Sequence, residues 1–378
     1  MKNFTPLEHF NSTELPNMFD YATKELSQDA FLCWVLAWKN TSGNKMCEVA
    51  AKFFAVFINK SVYKDTLSVS DIVKVEIIPQ HKNIDILVLA HLKSGKILPF
   101  IIEDKTNTTE HDEQLKKYRD KIINEYIDYT EPICIYYKTG YIQENKSKIE
   151  DQHYILFDKK EILDVLYKFK RYEMPLVFCE YYTHIVSKQM IEDAFISAIE
   201  NNSVEGINDY LHLSGCQWEL MKKLTTNIKG CPGINPMIQK ANRGGTYWTH
   251  FEIDNVDLKG YDYAFYRIDL KVKGYYFSLR QYLKYNKKEY MDKVGIYDEE
   301  KLRKGKMQRL EIYRQCFEKA VREKDDKVTI FHDDGGLIES EIGTFYLKDV
   351  ETLLFLKNNI AAVTKRFLEL VRYQGDGS

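Results

Sequence analysis

The feature that most constrains this chain is a change of hydrophobic period near residue 70. Before it, LSQDAFLCWVLAW and KMCEVAAKFFAVFIN carry apolar residues at spacings of three and four, which predicts two helices. Ser27 is the candidate N-cap of the first. After it come VSDIVKVEIIP, rich in β-branched residues, NIDILVLAHL and KILPFIIEDKT, which read as strands. Ser94-Gly95 between the last two predicts a hairpin. A helix then follows through EHDEQLKKYRDKIINEY, capped by Thr108 or Thr109, with Leu115, Tyr118, Ile122 and Tyr126 on its apolar face. PICIYYKT and HYILFD predict two more strands, and a helix runs from about Glu161 to Phe169. The order is that of an α/β mixed sheet flanked by helices.

Charged residues interrupt two of these strands. Asp85 stands among Ile84, Ile86, Leu87 and Val88, and Glu103 and Lys105 follow Pro99-Phe100-Ile101-Ile102. Side chains alternate along a strand, so Glu103 and Lys105 share a face and Asp104 points to the other. A two-residue turn at Ser94-Gly95 pairs residues whose numbers sum to ~189, which puts Asp85 opposite residue 104, beside the Glu103–Lys105 side. Two carboxylates and a main-chain carbonyl make an oxygen site suited to Mg²⁺ or Mn²⁺. A cation there acidifies water and neutralises phosphodiester charge, and a neighbouring lysine stabilises the charge of the transition state. The plainer alternative is an ion pair of Lys105 with Asp85 or Glu103 at a sheet end.

Asp85, seventeen residues, then Glu103-Asp104-Lys105 resembles the signature of the PD-(D/E)xK, or restriction-endonuclease-like, nuclease superfamily. The strand and helix order over roughly residues 25–170 is similar to that fold's core. The one departure is Ile84, where the family name has proline. The resemblance implies that Asp85 and Glu103 hold a catalytic metal and that Lys105 assists the nucleophile, with the Asp104 carbonyl as a further ligand. It implies an extra acid in the preceding helix, for which Glu48 is the candidate, and a Gln–aromatic pair on the following helix, for which Gln114 and Tyr118 are the candidates. Glu48 and Gln114 each have a plainer reading as solvated helix residues.

These residues predict a metal-dependent nuclease domain over 1–200 and a second α+β domain over 201–378. The second is read from the aromatic strands GTYWTHFEID, YDYAFYRIDLKV and YYFSLRQYL, a basic helix near 301–323 and a final helix near 347–372. The expected partner is nucleic acid, DNA ahead of RNA by the resemblance, with a homodimer as the expected assembly and defence against foreign DNA as the expected role. The alternatives are a non-catalytic binding or regulatory module on the same fold and an RNA-directed nuclease. A net charge of -2 means that a nucleic-acid partner needs a local basic stripe. The candidates are Lys116, Lys117, Arg119 and Lys121, and the stretch 271–323, whose fifteen Lys/Arg outnumber eight Asp/Glu, with the densest run KLRKGKMQR near several tyrosines. Seven cysteines without a C-x-x-C pair suggest neither a disulfide framework nor a zinc knuckle. The N-terminus has no signal-like apolar run and no stretch has the length of a membrane span, so a cytoplasmic location with no membrane partner is expected. No phosphate-binding G-x-x-x-x-G-K-[ST] loop is present.

Overall fold

The computed structural model describes residues 17–21, 25–106, 114–125, 131–141, 146–228, 237–240, 247–253, 262–283, 298–333, 336 and 338–375. The chain divides into two compact units, Met1–Ile191 and Glu192–Ser378. The expected caps Thr108 and Thr109 lie outside the described residues.

In the first unit a short helix, α1 (Met18–Tyr21), precedes α2 (Glu25–Ala37) and α3 (Lys45–Asn59). The first long helix begins two residues before the expected cap, so Ser27 lies inside α2 rather than at its end. Asn44 caps α3 by accepting the Cys47 N–H, and Met46, Val49, Ala50, Phe53, Phe54, Phe57 and Ile58 form its buried face at helical spacing. The sheet follows in chain order: β1 (Ile72–His81), β2 (Ile84–Leu92), β3 (Ile97–Lys105), β4 (Ile133–Lys138) and β5 (Tyr154–Asp158). The β1–β2 and β2–β3 pairs are antiparallel and the β3–β4 and β4–β5 pairs parallel. The parallel crossovers carry α4 (Gln114–Glu125) and α5 (Lys146–Asp151), and α6 (Lys159–Leu166) and α7 (Leu176–Glu200) follow. This is the mixed sheet between helices that the sequence predicts.

Residue parity decides which layer each side chain joins. Phe100 and Ile102 of β3, with Ile133, Ile135 and Tyr137 of β4, pack with α2, α3, α6 and the first part of α7. Ile101, with Leu87, Cys134 and Tyr136, packs with Leu115 and Ile122 of α4 and Ile149 of α5. On β3 the odd-numbered residues therefore face α4 and the even-numbered ones face α2.

The second unit is α+β, as expected. After α8 (Val204–Tyr210) and α9 (Ser214–Thr225) comes a five-stranded antiparallel sheet of β6 (Met237–Lys240), β7 (Tyr247–Ile253), β8 (Asp262–Lys271), β9 (Gly274–Leu283) and β10 (Glu339–Tyr346). Its core joins Phe251, Tyr266, Phe277, Leu279 and Phe345 to residues of α9, α10 (Glu299–Arg322) and α11 (Val350–Gly375). Gly343 of β10 presses on α10: a β-carbon there would lie 2.5 Å from Cδ1 of buried Phe317. Gly343→Ala therefore overpacks this core and lowers stability by about 1–3 kcal/mol. Calorimetry checks this, and an unchanged unfolding midpoint would refute the close approach.

Candidate active site

The β2–β3 hairpin sets the site. Leu92 N–H donates to the Lys96 carbonyl at 2.8 Å, and Gly95 sits at φ 81°. Three residues, Lys93-Ser94-Gly95, thus make the turn, with glycine in the left-handed position that such a turn requires. Paired residues are Ile86↔Ile102 and Leu87↔Ile101, so one more step brings Asp85 opposite Glu103. The predicted register was one residue off, because it assumed a two-residue turn. The correction places Asp85, Glu103 and Lys105 on the same face, toward α4.

There Lys105 Nζ lies 2.6 Å from Glu103 Oε1 and 3.8 Å from Asp85 Oδ2. Gln114 Nε2 donates to Glu103 Oε1 at 2.9 Å and lies 2.8 Å from the Tyr118 hydroxyl. The Asp104 N–H donates to Asp85 Oδ2 at 2.9 Å. Glu103 is wholly buried. Its Oε2 receives no hydrogen bond from a donor among the described residues, and the Glu103 side chain interacts with a second carboxyl, that of Asp85. Burial, and then the Asp85 charge, push the Glu103 pKa up to about 8 despite Lys105. Burial also raises the Asp85 carboxyl. Burial is the largest single influence and works against the Lys105 ammonium, but the charges of Glu103, Asp85 and Glu25 together outweigh it and the lysine pKa lies above its ordinary value. Two adjacent carboxyls that repel each other's ionisation are bridged by a proton or by a cation. An oxygen-ligated divalent ion fits that donor set. Among the described residues no group of three or more His, Cys, Asp and Glu side chains forms a ready ligand cluster.

Other expected site residues lie elsewhere. The Asp104 side chain points to the opposite face, fully buried against Gln28 of α2, which leaves only its main-chain carbonyl on the list of candidate ligands. Glu48 is half exposed on α3 and pairs with Lys45 at 2.8 Å; among the described residues no hydrogen bond or ion pair joins it to Asp85, Glu103 or Lys105. Glu25, at the start of α2, accepts the Thr106 N–H at 2.8 Å and acts electrostatically on both Asp85 and Lys105. Sequence reasoning missed it, although Glu25, Gln28 and Asp29 form a polar i, i+3, i+4 set on a helix otherwise buried through Phe31, Leu32 and Val35.

Several basic candidates have structural roles. Arg119 pairs with Glu131 and with Asp120, and Lys121 donates to the Lys82 carbonyl at 3.1 Å. In the C-terminal run Lys306 is buried, donating to the Gly336 carbonyl at 2.6 Å and to Ser340 Oγ at 2.7 Å, and burial lowers its pKa to about 8. Arg309 binds Asp262, whose carboxylate is buried. Lys301, Arg303 and Lys304 remain exposed. Of the nearby tyrosines, Tyr276 stacks on Tyr346 and Tyr282 lies against Tyr263. No described helix is long and apolar enough to cross a membrane.

A family model described as PD-(D/E)XK nuclease superfamily matches residues 16–211. No curated protein and no solved structure matches the chain.

Proposed function

Because the chain belongs to the PD-(D/E)XK nuclease superfamily, we propose that it is a Mg²⁺- or Mn²⁺-dependent nuclease whose reacting groups are Asp85, Glu103 and Lys105. The observation that carries this reading is the convergence of the three on one sheet face, with the Glu103 carboxyl against that of Asp85. Asp85, Glu103 and the Asp104 carbonyl would hold the ion, and Glu25 is the acid of the preceding helix that would supplement them. When bound, the ion supplies positive charge to the phosphodiester and acidity to water. Lys105 then stabilises the negative charge that gathers on the attacking water oxygen and the phosphoryl oxygens. Gln114, steadied by Tyr118, fixes the Glu103 carboxylate through Oε1. Water attacks phosphorus and gives up a proton to solvent, the bond to the leaving sugar oxygen breaks, and that oxygen takes up a proton from solvent.

DNA is the proposed substrate and defence against foreign DNA the proposed role, both on the family's behaviour. The second unit is proposed to bind nucleic acid or a partner, with Lys301, Arg303 and Lys304 among its exposed cations. The test is cleavage of plasmid, linear duplex, single-stranded DNA and RNA with Mg²⁺, Mn²⁺ or EDTA. Cleavage of a DNA substrate that EDTA abolishes is expected. Cleavage of RNA alone would reassign the substrate, and retention of nucleic acid without cleavage would favour a binding module.

A further inference from the structure

Behind the candidate site, on the other side of β3, lies a polar cluster around the Asp104 side chain, which the proposed reaction does not use. Asp104 is fully buried in the layer that holds Phe100 and Ile102. Gln28 Nε2 donates to its Oδ1. Gln28 Oε1 in turn accepts from the Tyr181 hydroxyl at 3.4 Å, and Tyr181 lies 3.0 Å from the Tyr137 hydroxyl. Asp29, one residue on, acts electrostatically on the Asp104 carboxyl and is held by Gln80 Nε2 at 3.0 Å. Glu25, one turn earlier, holds the Thr106 N–H. A buried carboxyl is costly, and an apolar residue would satisfy the layer better. Its placement between Glu103 and Lys105 gives it another use. Neighbouring side chains leave a strand on opposite faces, so fixing residue 104 from behind fixes how far 103 and 105 rotate toward the front. It also fixes the Asp104 N–H that holds Asp85.

We infer that Gln28 is a positioning residue: by clamping the Asp104 side chain from α2, it sets the strand segment that presents Glu103, Lys105 and the Asp85-binding amide. The inference rests on the nuclease reading for its catalytic consequence and on geometry alone for its effect on the strand.

The test uses the full chain with Gln28→Leu, which removes the donor and fills the space. Amide hydrogen exchange by mass spectrometry, Mn²⁺ affinity by calorimetry and steady-state DNA cleavage are measured on each variant. Protection of the Asp104 and Thr106 amides is expected to fall at least tenfold, Mn²⁺ affinity about tenfold, and kcat about 10- to 100-fold with KM for DNA unchanged, the span of a misplaced reacting group. Tyr181→Phe, which frees Gln28 on its far side, shifts all of these the same way by less. Val35→Ala, in the core of the same helix, lowers the unfolding midpoint but moves neither Mn²⁺ affinity nor kcat, which separates positioning from general loosening. Wild-type amide protection and Mn²⁺ affinity in Gln28→Leu would overturn the inference. An inert wild type would count against the nuclease reading, and amide exchange would still decide this one.

Discussion

Lys105→Ala lowers phosphodiester cleavage by about 10²–10³-fold, the scale of removing one preorganised charge from a transition state, and leaves the fold intact. The lysine is the cation among the described residues that reaches both acids, at 2.6 Å from Glu103 and 3.8 Å from Asp85. Its loss leaves the Glu103 carboxyl neutral, because Glu103 already favours the protonated form. Asp85→Asn loses cleavage to a similar degree for a different reason. It removes an oxygen proposed to bind the metal but also the second largest cause of the raised Glu103 pKa, so the metal-free protein becomes more stable as it becomes inactive. Single-turnover cleavage and calorimetry on both variants check this. Cleavage at the wild-type rate in either would remove that residue from the site.

Ion affinity is expected to climb with pH. Glu103 ionises near 8 rather than at the ordinary 4.5, and a cation needs the carboxylate. Between about pH 6 and 8 each pH unit raises Mn²⁺ affinity roughly tenfold, with close to one proton released, and the gain levels off above that. Calorimetry in buffers of different ionisation enthalpy counts the proton. Without the ion the same carboxyl acts in the other direction. The folded state holds a proton that the unfolded chain has lost, so stability falls as pH rises from about 4.5 toward 8. Asp29, raised to about 7 chiefly by burial and then by Asp85, adds to the slope. Added Mn²⁺ therefore raises the unfolding midpoint most at the alkaline end. An affinity independent of pH across this range would rule out the assigned role of Glu103.

The sheet and the central trio were legible because charge inside an apolar strand is expensive and so stands out. Asp85, Glu103 and Lys105 could be found with no knowledge of what surrounds them. Register was less legible, since Ser94-Gly95 fits a two-residue turn and a three-residue one alike; the left-handed Gly95 decides between them. Which helix acid lies near the strand end was less legible for a related reason. Glu48 and Glu25 are both helix residues upstream of the sheet, and which one reaches Thr106 depends on how α2 and α3 lie on it. The basic run at 301–309 was read as a surface stripe because the partners that bury Lys306 and Arg309, Ser340 and Asp262, are more than thirty residues away.

The three-residue turn has a consequence for how such a chain can change over time. It lies roughly 25 Å from Asp85 along β2, yet it holds the strands in phase. A residue inserted or deleted within the turn lengthens or shortens an exposed loop. The same event inside β2, between the turn and Asp85, sends that carboxylate to the back of the sheet, as a frameshift scrambles every codon downstream. A single-residue indel there is as damaging as replacing Asp85 itself, even though every reacting side chain is still encoded.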